Sequence, residues 1–85
     1  MEIILSPQAL EDIEYWKKQN NTAINERIKA LKNAILASPY QGIGKAEPLK
    51  HELAGKWSRR IDRKNRFIYA VENDILYIYS LKDHY

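Results

Sequence analysis

The sequence predicts a small α+β domain in which two N-terminal helices pack on one face of an antiparallel-rich sheet. Three observations support this fold: a short apolar run at 2–5, two stretches with helical spacing of apolar residues, and three aromatic-rich alternating runs after residue 55. The predicted order of elements is therefore β-α-α-β-β-β. The chain has 85 residues and no linker-like change in composition, so one domain is expected over 1–85.

The first strand is predicted at 2–5, and a helix follows it directly. Ser6 and Pro7 are typical of an N-cap and a first helical position, and Asn20-Asn21 is expected to end this helix. Its buried face is predicted to contain Ala9, Ile13 and Trp16.

The second helix is predicted from about Thr22 to Ala37, where Ser38-Pro39 ends it. Apolar residues at helical spacing form a stripe that is expected to pack on the sheet. This stripe contains Ile24, Ile28, Leu31 and Ile35.

A long connection over 40–55 separates the helices from the remaining strands. It contains all three glycines of the chain, and we expect it to lack regular structure and to lie along the open face of the sheet. Strands are predicted after it at about 56–62, 66–72 and 75–81. Loops of this length in a small domain are often functional.

The positive charge is concentrated in the middle of the chain. Of the net +3, residues 1–44 contribute nothing, whereas residues 45–66 carry eight basic and three acidic side chains. Such a segment can hold a polyanion by releasing its counterions, although a solvated basic hairpin would have the same composition. The absence of cysteine excludes disulfides and thiolate metal sites, and the two histidines show no ligand spacing, so no metal or other cofactor is predicted.

The composition also bears on location. The N-terminus has no charged-then-apolar signal pattern, and no apolar run approaches the about 20 residues that cross a bilayer. A cytoplasmic location without membrane contact is therefore expected.

Glu47 is the first candidate for chemistry on a phosphate backbone. Cleavage of RNA by its own 2′-hydroxyl needs a base, cations that stabilise charge on the phosphate, and an acid for the departing 5′-oxygen. Basic neighbours favour the ionised form of Glu47, and Pro48 restricts its backbone to extended angles. An exposed glutamate in surface ion pairs would show the same pattern.

Arginines supply the candidate cations. Arg59, Arg60 and Arg66 are predicted phosphate ligands, since a planar guanidinium can grip phosphate oxygens with two bonds. Arg59 and Arg60 are adjacent in a strand and point to opposite faces, so at most one is expected to face the cleft. A regular hairpin would place Arg66 close to Arg60.

The chain ends in His84-Tyr85, directly after a regular strand pattern. His84 is the candidate acid, because imidazole exchanges protons near neutral pH. Tyr85 could stack on a base or contact the phosphate, and Lys50 could add positive charge nearby. A frayed tail is the alternative, but the apolar run at 75–79 should anchor this end in the sheet.

Several segments resemble motifs of the Txe/YoeB toxins. They are GIGKAEPLKH at 42–51, LAGKWSRRI at 53–61, Arg66 with Tyr69, and the closing His84-Tyr85. The likeness extends over the whole chain. It implies a RelE-like fold and a toxin of a type II toxin–antitoxin pair, a class of endoribonucleases that cut mRNA in the ribosomal A site and stop translation.

The resemblance also implies roles for single residues. By position, Glu47 resembles the general base, His84 the general acid, and Arg66 the arginine that stabilises the phosphorane-like transition state. The supporting phosphate and substrate contacts would be Lys50, Arg60 and Tyr85. The expected products are a 2′,3′-cyclic phosphate and a free 5′-hydroxyl. A homodimer and a cognate antitoxin of the YefM/Axe type, whose C-terminal segment folds onto the toxin, are implied as partners beside mRNA and the ribosome.

Two other functions stay open at this stage. The chain departs from the family pattern at Ala46, where proline is common, at Ser80, where cysteine is common, and at Lys82, where arginine is common. ParE-type toxins share the broad fold and inhibit DNA gyrase, although they do not need a trio of glutamate, arginine and histidine. A basic module that holds RNA or an antitoxin without cleaving anything is the third interpretation.

Overall fold

The computed structural model describes residues 1–83 and shows the two predicted layers. Helices α1 (Pro7–Gln19) and α2 (Thr22–Ala37) pack on one face of a five-stranded sheet. The strands are β1 (Glu2–Leu5), β2 (Glu47–Pro48), β3 (Trp57–Arg60), β4 (Arg66–Glu72) and β5 (Ile75–Ser80), in the spatial order β1-β5-β4-β3-β2. β1 is parallel to β5 and the other neighbours are antiparallel, so the predicted α+β class is confirmed.

Capping side chains set the limits of both helices, as predicted. The Ser6 hydroxyl accepts a hydrogen bond from the backbone three residues on, and Pro7 occupies the first turn of α1. Asn20 ends α1 in the left-handed conformation with φ 52°, and Asn21 caps α2 with its side-chain oxygen. Among the residues described, neither helix has the length and apolar character that a bilayer span requires.

The core lies between the helices and the central strands. Strand alternation places Phe67, Tyr69, Leu76 and Ile78 on one side of the sheet, which we call the helix face. The opposite side, which carries Ser58, Ile68 and Tyr77, is called the open face. The predicted apolar stripes of α1 and α2 pack on the helix face, with Ile13 and Ile28 only half-buried.

The connection between α2 and β3 has more structure than predicted. Glu47–Pro48 pairs with β3 as the edge strand β2, and His51–Leu53 forms a turn of 3-10 helix. A two-residue strand that contains proline has no propensity signal of its own, because its pairing depends on the neighbouring strand. The expected course of the whole loop along the open face is also wrong: the carbonyls of its first half collect around Arg59 on the helix face.

Candidate active site

Strand pairing places Glu47, Arg60 and Arg66 on the open face together. Glu47 lies opposite Ser58, while Arg60, two residues further along β3, lies opposite Arg66. Directly paired residues project from the same side of a sheet, and so do residues two apart on one strand. Three of the predicted site residues therefore share one surface, near the turn that joins β3 to β4.

The spacing of these side chains follows from the same pairing. Arg60 and Arg66 are directly opposed, which brings their Cβ atoms to about 5 Å, and Glu47 is the diagonal neighbour of Arg60 at about 7–8 Å. Directly opposed like charges destabilise a sheet. Within residues 1–83 neither guanidinium forms an ion pair with a carboxylate. An anion bound between the two arginines would relieve their repulsion.

The turn between β3 and β4 orients the Arg66 side chain. Its Nη1 donates to the carbonyl oxygens of Asp62 at 3.0 Å and Asn65 at 3.3 Å. The Asp62 carboxylate in turn accepts from the backbone N–H groups of Lys64 and Asn65 and from the Asn65 amide. Burial alone would raise the pKa of Asp62, but the hydrogen bonds from Asn65 and Lys64 and the charge of Arg66 outweigh it and hold that pKa below its usual value. Asp62 is thus a charged, acceptor-only group that fixes this turn at neutral pH.

The same turn holds the chain just before the predicted acid. Asp83 O accepts a hydrogen bond from Arg66 N at 2.8 Å, and Asp83 N donates to Asn65 Oδ1 at 2.7 Å. His84 and Tyr85 lie outside the described residues. The backbone that precedes them is therefore fastened beside Arg66 on both its donor and its acceptor side.

Polar groups of Ser6 and of α1 hold the end of β5, a role that the sequence did not indicate for any of them. Asp12 is only 3% exposed, and its Oδ2 accepts from Leu81 N at 2.8 Å. Trp16 Nε1 donates to Leu81 O at 2.9 Å, and Ser6 Oγ donates to Tyr79 O at 2.8 Å. Asp12 lies about one turn from both Ala9 and Trp16 on the buried face of α1, and this helical spacing is the signal that could have identified it.

Arg59 is not available as a phosphate ligand, and of the two adjacent arginines it is the one that faces away from the predicted cleft. Its side chain is fully buried on the helix face, because alternation along β3 turns it away from Arg60. Every nitrogen of its guanidinium group donates a hydrogen bond. The acceptors are Tyr69 Oη at 3.2 Å and the carbonyl oxygens of Ile43 at 3.2 Å, Ser38 at 2.6 Å and Gln41 at 2.9 Å.

A close backbone approach at Gly44 fixes the segment that leads to Glu47. Gly44 has φ 83°, and a Cβ atom there would lie 2.8 Å from Leu31 Cδ2 and 3.2 Å from Arg60 O. Its own carbonyl accepts from Arg60 N at 2.6 Å. Only glycine fits both the backbone angle and the space. The chain is thereby held against β3 just before Glu47 enters register with Ser58.

Lys50 and Glu47 both remain unengaged within the part of the chain that the structure describes. Lys50 is exposed at the start of the 3-10 helix and forms no ion pair within residues 1–83. Glu47 is exposed and forms no ion pair with residues 1–83, unlike a glutamate placed for surface pairing. No trio of His, Asp or Glu side chains in the described residues is grouped as metal ligands would be.

This arrangement contains the parts of an acid–base site for phosphate chemistry. Glu47 offers a carboxylate with free acceptor capacity, and Arg60 and Arg66 offer guanidinium groups for phosphate oxygens. Asp83 ends the described chain beside them, one peptide bond before an imidazole. The described surface could therefore accept a proton and hold an anion within a short distance.

Comparisons with known sequences identify the family of this chain. Residues 5–85 match a family model described as a YoeB-like toxin of a bacterial type II toxin-antitoxin system. Toxin YoeB of Escherichia coli strain K12 is 41% identical over 85 residues, and the match covers 100% of both chains.

Solved structures give the same result. A YoeB/ParE toxin from Agrobacterium tumefaciens has a TM-score of 0.94 at 33% identity and is covered completely, as is this chain. YoeB in a YoeB–YefM complex from Staphylococcus aureus has a TM-score of 0.89 at 41% identity, with 100% of this chain and 98% of that chain covered. A YoeB dimer from the same organism gives 0.89 at 40% identity with the same coverage. The RelE-like fold implied by the sequence motifs is confirmed, and the chain belongs to the YoeB-like toxins of bacterial type II toxin–antitoxin systems.

Proposed function

We propose that this toxin is an endoribonuclease that cleaves mRNA in the ribosomal A site and so inhibits translation. The observation that carries the proposal is the shared open face of Glu47, Arg60 and Arg66, beside which Asp83 is held by hydrogen bonds. Glu47 and Arg60 are both exposed. Exposed groups suit a substrate that another large particle, the ribosome, presents to the protein.

The reaction uses general acid–base catalysis. Glu47 removes the proton of the ribose 2′-hydroxyl, and the oxygen attacks the adjacent phosphorus. Arg66, with Arg60 opposite it, stabilises the negative charge of the phosphorane-like transition state. His84 donates a proton to the 5′-oxygen as the P–O bond breaks. The products are a 2′,3′-cyclic phosphate and a free 5′-hydroxyl, and the step requires neither a metal nor a cofactor.

Two further contacts and two partners belong to the same proposal. Lys50 and Tyr85 contact substrate at the margins of the site. The relatives from Staphylococcus aureus occur as a YoeB–YefM complex and as a YoeB dimer. By analogy this chain forms a homodimer, binds a YefM/Axe-like antitoxin, and acts in the cytoplasm.

The test compares Glu47→Gln with Glu52→Gln on translating ribosomes, and primer extension measures mRNA cleavage. Glu52 is an exposed glutamate of the nearby 3-10 helix, so its substitution changes charge equally without touching the site. We expect Glu47→Gln to lower the cleavage rate by about 100-fold or more and Glu52→Gln to leave it unchanged. His84→Gln should lower the rate far more than it weakens RNA binding, since the acid acts in the transition state.

The outcomes separate the proposal from its alternatives. Undiminished cleavage by Glu47→Gln or His84→Gln would remove that residue from its role. RNA binding by the unmodified chain without cleavage would identify a binding module. Inhibition of DNA gyrase would identify a ParE-type toxin.

A further inference from the structure

A second cation lies on the open face, on the other side of Glu47 from Arg60. Lys56 O accepts a hydrogen bond from Leu49 N at 2.9 Å, so the pairing of β2 with the neighbouring strand continues past Glu47. Lys56 precedes Ser58 by two residues and Arg60 follows it by two. Both cations are therefore on the open face, each about 7 Å from Ser58 along the strand. Glu47, which lies opposite Ser58, is flanked diagonally by a cation on each side.

An aromatic ring fixes the position of the Lys56 ammonium. Its Nζ lies 4.2 Å from the centroid of the Tyr79 ring, well inside the range of a favourable cation–π contact. Tyr77 lies on the same strand, opposite Ala70. Tyr77, Tyr79 and Lys56 are all half-buried. The cation thus loses little side-chain freedom when a ligand binds.

Apart from the contact of Lys56 with the Tyr79 ring, the polar ends of these three side chains have no partner among the residues described. Within residues 1–83, Lys56 forms no ion pair, and the hydroxyl groups of Tyr77 and Tyr79 form no hydrogen bond. Neither α1 nor α2 covers this side of the sheet, since both pack on the helix face. Partly exposed aromatic rings beside fixed cations are what proteins use to hold single-stranded nucleic acid.

We propose that Lys56, Tyr77 and Tyr79 form a binding subsite for the nucleotide next to the scissile linkage. Lys56 contacts the phosphate of that nucleotide, and the tyrosine rings stack on its base. The inference rests on the proposed function, because that function places the scissile linkage between Glu47 and Arg60. The RNA would then run along β3 from Arg60, past Glu47, to Lys56, a span of about 13 Å.

The experiment measures binding without cleavage. A fluorescent single-stranded RNA with 2′-O-methyl riboses lacks the attacking hydroxyl, so its anisotropy reports affinity alone. Lys56→Met is compared with Lys18→Met, an exposed lysine of α1 on the other side of the sheet, which changes the net charge equally. Tyr79→Leu is compared with Tyr79→Phe, which keeps the ring.

We expect Lys56→Met to weaken affinity about five-fold and to reduce the slope of log affinity against log salt by about 0.7, the value for one phosphate contact on a single strand. Lys18→Met should leave both quantities unchanged. Tyr79→Leu should weaken binding about ten-fold, and Tyr79→Phe should retain it, since stacking needs the ring and not the hydroxyl. On ribosomes, Lys56→Met should raise KM and preserve most of kcat.

Two results would overturn the inference. One is the same affinity and the same salt slope for Lys56→Met and Lys18→Met. The other is retained affinity in Tyr79→Leu with an unchanged urea midpoint. Because the probe is not cleaved, either result can occur while Glu47→Gln still abolishes cleavage. The subsite proposal can therefore be disproved while the nuclease proposal stands.

Discussion

The two faces of the sheet use the same amino acid in opposite ways. On the helix face, Arg59 is fully buried and donates to four oxygen acceptors. On the open face, its neighbour Arg60 is exposed and opposes another arginine. Successive residues of a strand point to opposite faces of the sheet, and this alternation alone leaves Arg59 buried and Arg60 exposed. A count of basic residues therefore overstates the charge that is available to a ligand, because part of that charge organises the fold.

The largest expected effect is the loss of stability in Arg59→Met. The substitution removes the buried guanidinium and leaves the part-buried carbonyl oxygens of Ser38, Gln41 and Ile43 without their donor. We expect the free energy of unfolding to fall by about 3 kcal/mol or more. Urea denaturation followed by circular dichroism measures this.

Arg60→Met is the matched control for that prediction. It removes the same charge one residue away but breaks no side-chain hydrogen bond within residues 1–83, so its stability should change by no more than about 0.5 kcal/mol. RNA affinity should fall in Arg60→Met. Equal destabilisation by the two substitutions would contradict the contrast between the faces.

Asp12→Ala tests whether the buried Asp12 carboxylate, by holding the end of β5, also helps to position Asp83 beside the candidate site. The substitution leaves Leu81 N without its buried acceptor, which should cost about 1–3 kcal/mol. Hydrogen exchange at the Leu81 amide should accelerate, and mRNA cleavage should decrease because Asp83 is less firmly placed. Glu11→Ala, at an exposed neighbouring position, should change neither quantity. Unaltered exchange at Leu81 in Asp12→Ala would show that the carboxylate does not hold this strand end.

The smallest expected effect is a pH dependence of the free energy of unfolding, caused by Asp62 in the turn between β3 and β4. The pKa of Asp62 is lowered in the folded protein, so its contribution to stability is present above its unfolded pKa of about 3.9 and is lost as pH falls through the folded value. The difference in urea midpoint between the parent protein and Asp62→Asn should therefore be largest near neutral pH and shrink below about pH 4. Glu72→Gln, in the other hairpin, serves as control. A difference that is constant down to about pH 2 would show that the charge of Asp62 is not involved.

Local signals explain why most of the fold could be predicted. The N-caps Ser6 and Asn21 and the apolar stripes act within a few residues, so the helices begin and end where the sequence indicates. Strand β2 could not be predicted, because its register depends on Gly44 packing against Leu31, a contact between distant segments. Strand alternation predicted that at most one of Arg59 and Arg60 would face the cleft, but the hydrogen bonds of the buried Arg59 join distant segments and have no local signal.

The candidate site was predictable in its composition and less so in its geometry. The sequence indicated Glu47, Arg60 and Arg66, and the pairing of Arg60 with Arg66 is confirmed. The position of Glu47 opposite Ser58 has no sequence signal, since the two residues meet only through the short edge strand. The hydrogen bond from Asp83 N to Asn65 Oδ1 joins the end of the chain to a turn 18 residues earlier. The sequence around these two residues contains no motif that predicts this contact.

The parallel pairing of β1 with β5 has a consequence for synthesis. The hydrogen bond from Ser6 Oγ to Tyr79 O joins residues 73 apart, so β1 and α1 leave the ribosome long before their sheet partner exists. Such distant contacts close late in folding, after the local helices have formed. The segment that completes the sheet also carries Asp83, which Arg66 holds at the proposed catalytic surface. The proposed catalytic surface is therefore complete only after the last strand of the chain has been synthesised and has paired in the sheet.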